Sequence, residues 1–156
     1  MTEEQKTFMI EDAHILFRNF AGREEQFNDK GKRNFCVILE PDVAKQMEAD
    51  DWNVKYLKPQ DEDDEPTPYI QVSLRFDIMP PRIVMLTSTS RTRLDESSVE
   101  SLDWADFENV DLIARGYNWE ANGKTGVKAY LQSLFVTIQE DALERKYHIN
   151  ENPPQN

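Results

Sequence analysis

The sequence predicts a mainly β fold: an OB-fold-like five-stranded antiparallel barrel with an extra hairpin and short helices. Short runs of alternating apolar residues recur along the chain, separated by long and uneven loops. No strand–helix–strand rhythm and no internal repeat is visible. Near the end, Asn122-Gly123 sits between two runs rich in β-branched and aromatic residues. Asn-Gly in that setting is a strong hairpin signal, because a type I′ turn needs φ > 0 at both central positions.

The 156 residues suit one domain, expected over 1–150, with a flexible tail over 151–156 that reads ENPPQN. Charged residues make up 31% of the chain, but the 10% aromatic share argues against disorder. No apolar run approaches the roughly 20 residues of a membrane span, and the start, MTEEQKTF, lacks a signal-peptide pattern. Cys36 is the only cysteine, which excludes an internal disulfide and a cysteine-based zinc site. A reducing cytoplasm is the expected setting, with no cofactor and no membrane partner.

The net charge of −12 counts against a simple basic nucleic-acid binder. Net charge does not fix the potential in a local groove, however. Much of the acid lies in runs: Asp61 to Glu65, Asp95 to Asp111, and Glu140 to Glu144.

The elements follow in order. Residues 7–20 form a first strand, with Glu11-Asp12 marking a bulge; His14 reads as a strand histidine. Residues 21–33 form a loop whose Asn28-Asp29-Lys30-Gly31 is turn chemistry. Lys30, Lys32 and Arg33 gather positive charge at the mouth of the next strand, either as a solvated turn or as a loop closing over nucleic acid. Asn34–Glu40 is a strand. A helix over Asp42–Ala49 follows, with Val43 and Met47 as its apolar stripe. Trp52–Leu57 is a strand, and Gln60–Pro68 a loop kept solvated by five consecutive acids. Those acids lack the Gly and Asn rhythm of a calcium loop. Tyr69–Asp77 alternates cleanly: Ile70, Val72, Leu74 and Phe76 inward, Tyr69, Gln71, Ser73 and Arg75 outward. Arg82–Ser88 is a strand with Arg91–Leu94 returning beside it, and Arg82, Arg91 and Arg93 form a second basic group. Ser97–Phe107 is partly helical, capped by Asp95 or Glu96, with Trp104 and Phe107 plugging the core. A helix begins the tail at Ala142.

The last hairpin carries the functional signal. With Asn122-Gly123 as a two-residue turn, Trp119 lies opposite Gly126, Tyr117 opposite Lys128, and Arg115 opposite Tyr130. Arg115, Tyr117, Trp119, Lys128 and Tyr130 then share one surface, while Ala114, Gly116, Val127, Ala129 and Leu131 face the core. Rings interleaved with cations suit a single-stranded nucleic acid: bases stack on rings with little sequence preference, and cations meet phosphates. Trp119 is expected in solvent, with Trp52 and Trp104 nearer the core. The bland reading is that these rings are ordinary cross-strand pairs; it would require Arg115 and Lys128 to snorkel from a packed layer.

The string ILFRNFAGREEQFNDKGKRNFCVILEPDVAKQM, with Phe17, Asn19, Phe20, Phe27, Gly31, Phe35 and Val37 at its marked positions, resembles the front end of small phage and prophage single-stranded-DNA-binding proteins. The segments WNVKYLKPQDEDDEPTPYIQVSLRF, LDWADFENVDLIARGYNWEANGKTGVKAYLQSLFVTI and EDALERKY are similar to such proteins as well. The resemblance implies an OB fold and a role in phage DNA replication or recombination inside the bacterial host cell. Its partners would be single-stranded DNA and replication or recombination proteins of phage or host, with homo-oligomerisation left open. These proteins often end in a strongly acidic recruitment tail. NENPPQN is nearly neutral, so that function is not carried over.

Three functions compete. The first is non-catalytic, sequence-tolerant single-stranded DNA binding through Tyr117, Trp119, Tyr130, Arg115, Lys128, Arg75, Lys32 and Arg33. The second is an acidic phage protein that inhibits a host protein by DNA mimicry. The third is a metal-dependent nuclease, disfavoured because the acids show no ligand spacing and only His14 and His148 are present.

Overall fold

The structure, a computed structural model, describes residues 6–140 apart from 27 and 78. The predicted helix at Ala142 and the tail lie outside the described residues. The strands are β1 (Thr7–Ile10), β2 (Ile15–Asn19), β3 (Arg33–Ile38), β4 (Val54–Leu57), β5 (Thr67–Leu74), β6 (Arg82–Leu86), β7 (Arg91–Leu94), β8 (Phe107–Ala121) and β9 (Lys124–Ile138). A helix, α1 (Pro41–Ala49), and a 3-10 turn, Val99–Asp103, complete the set.

The strands form one mixed sheet in the order β1-β8-β9-β5-β3-β2; β4 is added to β5, and the β6–β7 pair to β9. The two ends of that path, β1 and β2, are consecutive in the chain. Where one strand with a bulge at Glu11-Asp12 is expected, the chain breaks there into two strands: Asp12 takes φ 52°, Ala13 N–H donates to Val110 O at 2.7 Å, and Ile38 N–H donates to His14 O at 3.0 Å. A single bent segment thus lines both margins of the curled sheet, and the fold is mainly β and OB-like as expected, with nine strands among the described residues in a mixed sheet where five antiparallel ones are expected. Two pairings are parallel, β5 with β9 and β6 with β9. Local patterning does not reveal them, because they join strands distant in sequence.

The hairpin β8–β9 has the predicted register: Arg115 faces Tyr130, Tyr117 faces Lys128, and Trp119 faces Gly126. Asn122 (φ 54°) and Gly123 (φ 78°) make the turn. Ala114, Val127, Ala129 and Leu131 are buried, as are Ile70, Val72 and Leu74 of β5. The core also holds Phe20 stacked on Phe35 at 5.3 Å, and Trp52, edge-on to Phe8 at 5.0 Å.

Two expectations need correction. Helix α1 buries Ala44 and Met47, and Val43 is 40% exposed. The short helix is rotated so that the i, i+3 pair meets the sheet. Trp104 does not plug the core; it is 77% exposed. Val99 and Leu102 fill that space instead, and Trp104 lies just past the 3-10 turn, where helical spacing no longer relates it to Phe107. The turn is fastened by Asp103, whose carboxylate accepts from the backbone N–H groups of Phe20 and Ala21 at 2.7 and 3.0 Å. Asp95, the expected cap, accepts from the hydroxyls of Ser97 and Ser98, which with the backbone N–H groups of the same two residues hold its carboxyl below the usual range.

Gly116 is where Trp52 and β9 close on β8. A Cβ there would meet Val127 Cγ1 at 2.6 Å and Trp52 at 2.9 Å, whereas a Cβ on Gly123 would meet nothing. Gly116→Ala should therefore cost about 1–3 kcal/mol through overpacking, and Gly123→Ala about 1–2 kcal/mol through its left-handed backbone alone. Urea unfolding of both variants tests this; a neutral Gly116→Ala would contradict the packing described.

Candidate nucleic-acid interface

The outer face of the sheet carries the candidate site. One lateral row crosses the strands: Asn34 on β3, Ser73 on β5, Tyr130 on β9, Arg115 on β8 and Thr7 on β1. Directly opposed residues share a face, so this row is fixed by backbone register. Beside it, Tyr117 meets Tyr130 edge-on at 6.1 Å and is 61% exposed. Lys128 Nζ lies 5.2 Å from the Tyr130 ring centre.

A groove of about 510 Å³ runs along this face. Lys32, Arg33, Arg75, Lys128 and Tyr130 all line it, so the structure brings these residues together from the loop before β3, the start of β3, the residue after β5, and β9. Arg115, Tyr117 and Trp119 sit on the adjoining strand, outside the groove wall but on the same face.

The loop over residues 20–32 is a built wall. Asn19, buried, bonds Arg23 through both ends of its amide, at 2.8 and 3.0 Å. Asn28 donates to the carbonyls of Arg23 and Lys32 and accepts from Asn34 Nδ2 at 2.8 Å. Gly31 N–H donates to Gly22 O at 2.8 Å, both glycines having positive φ. The turn chemistry read in Asn28–Gly31 thus holds Lys32 at the groove mouth.

The cations differ in what already holds them. Arg75 makes a two-pronged contact with Asp77, at 2.8 and 3.2 Å, which raises its pKa further. Lys32 lies 3.4 Å from Asp29. Both pairs are exposed, where ion pairs are worth about 0–1 kcal/mol, so a phosphate can displace the carboxylate at little cost. Arg33 is different: it donates to Phe20 O at 2.6 Å, reaches Glu96 at 4.0 Å and lies over Phe76. Its first role is to tie the loop to the sheet. Arg115 donates to Met79 O at 3.0 Å.

Trp119 departs from the expectation of a solvent-facing indole. It is half-buried and lies over the gap left by Gly126, where a Cβ would meet its ring at 2.6 Å. Its Nε1–H donates to Asn53 Oδ1 at 3.2 Å. Asn53 is held there because its own N–H donates to Val127 O. Alternation gave the correct face, but the missing side chain opposite let the ring fold down.

Two residues belong to this face that hairpin reasoning missed. Phe17, 62% exposed with φ 53°, meets Tyr69 edge-on at 6.4 Å. The outward parity of Tyr69 was readable; the inversion of Phe17 at a positive φ was not. Between the aromatic pairs lies Cys36, whose thiol burial pushes up to about 11, with Lys55 opposing the shift. A thiol so raised is not a reactive nucleophile. Among the described residues no group of three or more His, Cys, Asp or Glu could hold a metal ion, and no helix is long and apolar enough to cross a membrane.

The tryptophans give a direct check. Trp119→Phe should cost about 1 kcal/mol, the net worth of one hydrogen bond, and iodide quenching of emission should fall most in Trp104→Phe. Dominant quenching from Trp119 would return its indole to solvent.

Comparison with known proteins fits this geometry. No curated protein matches the chain. The single-stranded DNA-binding protein of bacteriophage Enc34, solved in complex with ssDNA, superposes with a TM-score of 0.56 at 10% identity, over 86% of this chain and 88% of that one. A second structure of the same phage protein gives 0.53 at 13% identity, over 86% and 82%. At such identities the likeness speaks to fold, which is OB-like in both. The family model described as "Putative phage ssDNA-binding domain" matches residues 2–153. The chain belongs to that phage ssDNA-binding domain family.

Proposed function

We propose that this protein binds single-stranded DNA, non-catalytically and with little sequence preference, on the outer face of β5, β9 and β8, in phage DNA replication or recombination. The observation that carries the reading is the row Ser73–Tyr130–Arg115 with Lys128 and Tyr117 beside it, walled by the loop that bears Lys32. Tyr117 and Tyr130 stack bases; Lys128, Arg115, Arg75 and Lys32 meet phosphates, with Arg75 and Lys32 exchanging their carboxylate partners for the ligand. Arg33 holds the wall, and Trp119 contributes an edge rather than a free ring. Family membership supports the ligand class, and the Enc34 protein, solved in complex with ssDNA, supports the strand form. The net charge of −12 is compatible because cations converge on one face, while Asp61–Glu65 lie in an exposed loop. A groove of this composition gives a DNA mimic no advantage.

Anisotropy of a labelled deoxythymidine oligonucleotide, titrated at several salt concentrations, tests this. Log affinity should fall linearly with log salt, by about 0.7 per phosphate contact. Lys128→Ala should lower that slope by one contact, and Tyr117→Ala should cost about 1–3 kcal/mol of binding, the usual worth of one stacked base. A slope near zero, or unchanged binding in both folded variants, would overturn the reading.

A further inference from the structure

We infer that the β6–β7 hairpin and the distal half of β9 form a second subsite for the same single strand, extending its path beyond the groove. The inference rests on the single-strand reading above. Its starting point is the second basic group of the sequence, Arg82, Arg91 and Arg93, which the groove does not use.

The parallel pairing of β6 with β9 sets Val84 opposite Phe135, and the antiparallel pairing of β6 with β7 sets Arg93 opposite Val84. Alternation then places Arg82, Arg91 and Arg93 on the face that carries Phe135. The Arg82 and Arg91 guanidinium carbons lie 5.9 and 5.8 Å from the Phe135 ring centre. All three arginines are exposed, and among the described residues none makes an ion pair. That separates them from Arg23, Lys32, Arg33 and Arg75, each near a carboxylate. Asp111, the β8 partner of Phe135, is turned to accept from Asp12 N–H at 2.9 Å.

The two patches share the outward side of β9, with Met79 of the β5–β6 connection held beside the path by Arg115. Lys128 and Tyr130 stand on the proximal part of β9 and Phe135 on the distal part; one bulge, at Gln132, restores the outward parity between Tyr130 and Ser133. At about 3.3 Å per residue, Lys128 and Phe135 are roughly 23 Å apart along the strand. The hairpin is held rigid: Ser88 donates through its N–H and its hydroxyl to Glu140, at 2.6 and 2.9 Å, and Thr87 and Ser90 bond side chain to side chain. Planar guanidinium groups over a ring offer both phosphodiester contacts and stacking surfaces for bases. A strand seated on Tyr117 and Tyr130 would continue along β9 onto this cluster.

The test compares oligodeoxythymidines of about 4 and about 16 nucleotides, the ends of the usual site range for one OB domain. They are titrated against wild type, R82Q/R91Q/R93Q, and the edge-only R91Q/R93Q. Three contacts at about 0.7 each predict that a fourfold rise in salt shrinks the wild-type preference for the longer strand roughly 20-fold. The triple variant should lose that preference and its salt dependence while binding the short strand as wild type does; the edge variant should fall between. Wild-type binding of both strands with an undiminished length preference in folded variants overturns the subsite alone. Failure of wild type to bind either strand overturns the single-strand reading and the subsite with it.

Discussion

The register of the β8–β9 hairpin is the constraint on which the rest of the molecule depends. A two-residue turn at Asn122-Gly123, with one bulge at Gln132 that shifts the phase of β9, fixes which residues of both long strands face each way. One side supplies Val110, Leu112, Ala114, Val127, Ala129, Leu131, Leu134 and Val136 to the core. The other supplies Arg115, Tyr117, Lys128, Tyr130 and Phe135 to the outer face. A slip of one residue would exchange the two sets, burying cations and exposing the core. The core and the proposed binding face are thus specified by the same backbone choice, and β9 serves as the common partner of β8, β5 and β6.

An acidic chain can carry a polyanion site because charge is sorted by element. The acids concentrate in exposed loops such as Asp61–Glu65, whereas the outer face draws its cations from strands and from a loop braced by Asn19 and Asn28. Within the groove, Asp77 and Asp29 hold Arg75 and Lys32 in place, as the proposed site requires before a ligand arrives. Such exposed pairs are weak enough to be exchanged and ordered enough to limit the entropy lost on binding. Arg33 shows the contrasting use of a cation: its bond to the Phe20 carbonyl makes it part of the wall.

What the sequence made legible follows from local physics. Alternation gave the inward set of β5 and both faces of the hairpin, Asn-Gly gave the turn, and Glu11-Asp12 marked an irregularity, though as a bulge and not as the break between β1 and β2. The phage family resemblance agrees with the family match over residues 2–153. What escaped depends on partners remote in sequence. The parallel pairings of β9 are tertiary. Trp119 lies down because Gly126 leaves room and Asn53 offers an acceptor. Trp104 turns outward because Val99 and Leu102 occupy the core first. Phe17 reaches the outer face through a positive φ that no alternation rule anticipates.

The central claim is that nucleic acid meets the outer face of the hairpin and of β5. Backbone amide shifts recorded by NMR during titration with an unlabelled oligodeoxythymidine test it most directly. The account predicts the largest changes at Gln71, Ser73, Arg115, Tyr117, Lys128 and Tyr130, with α1 and the Asp61–Glu65 loop unmoved. Changes confined to α1 and that loop, with the hairpin silent, would contradict it.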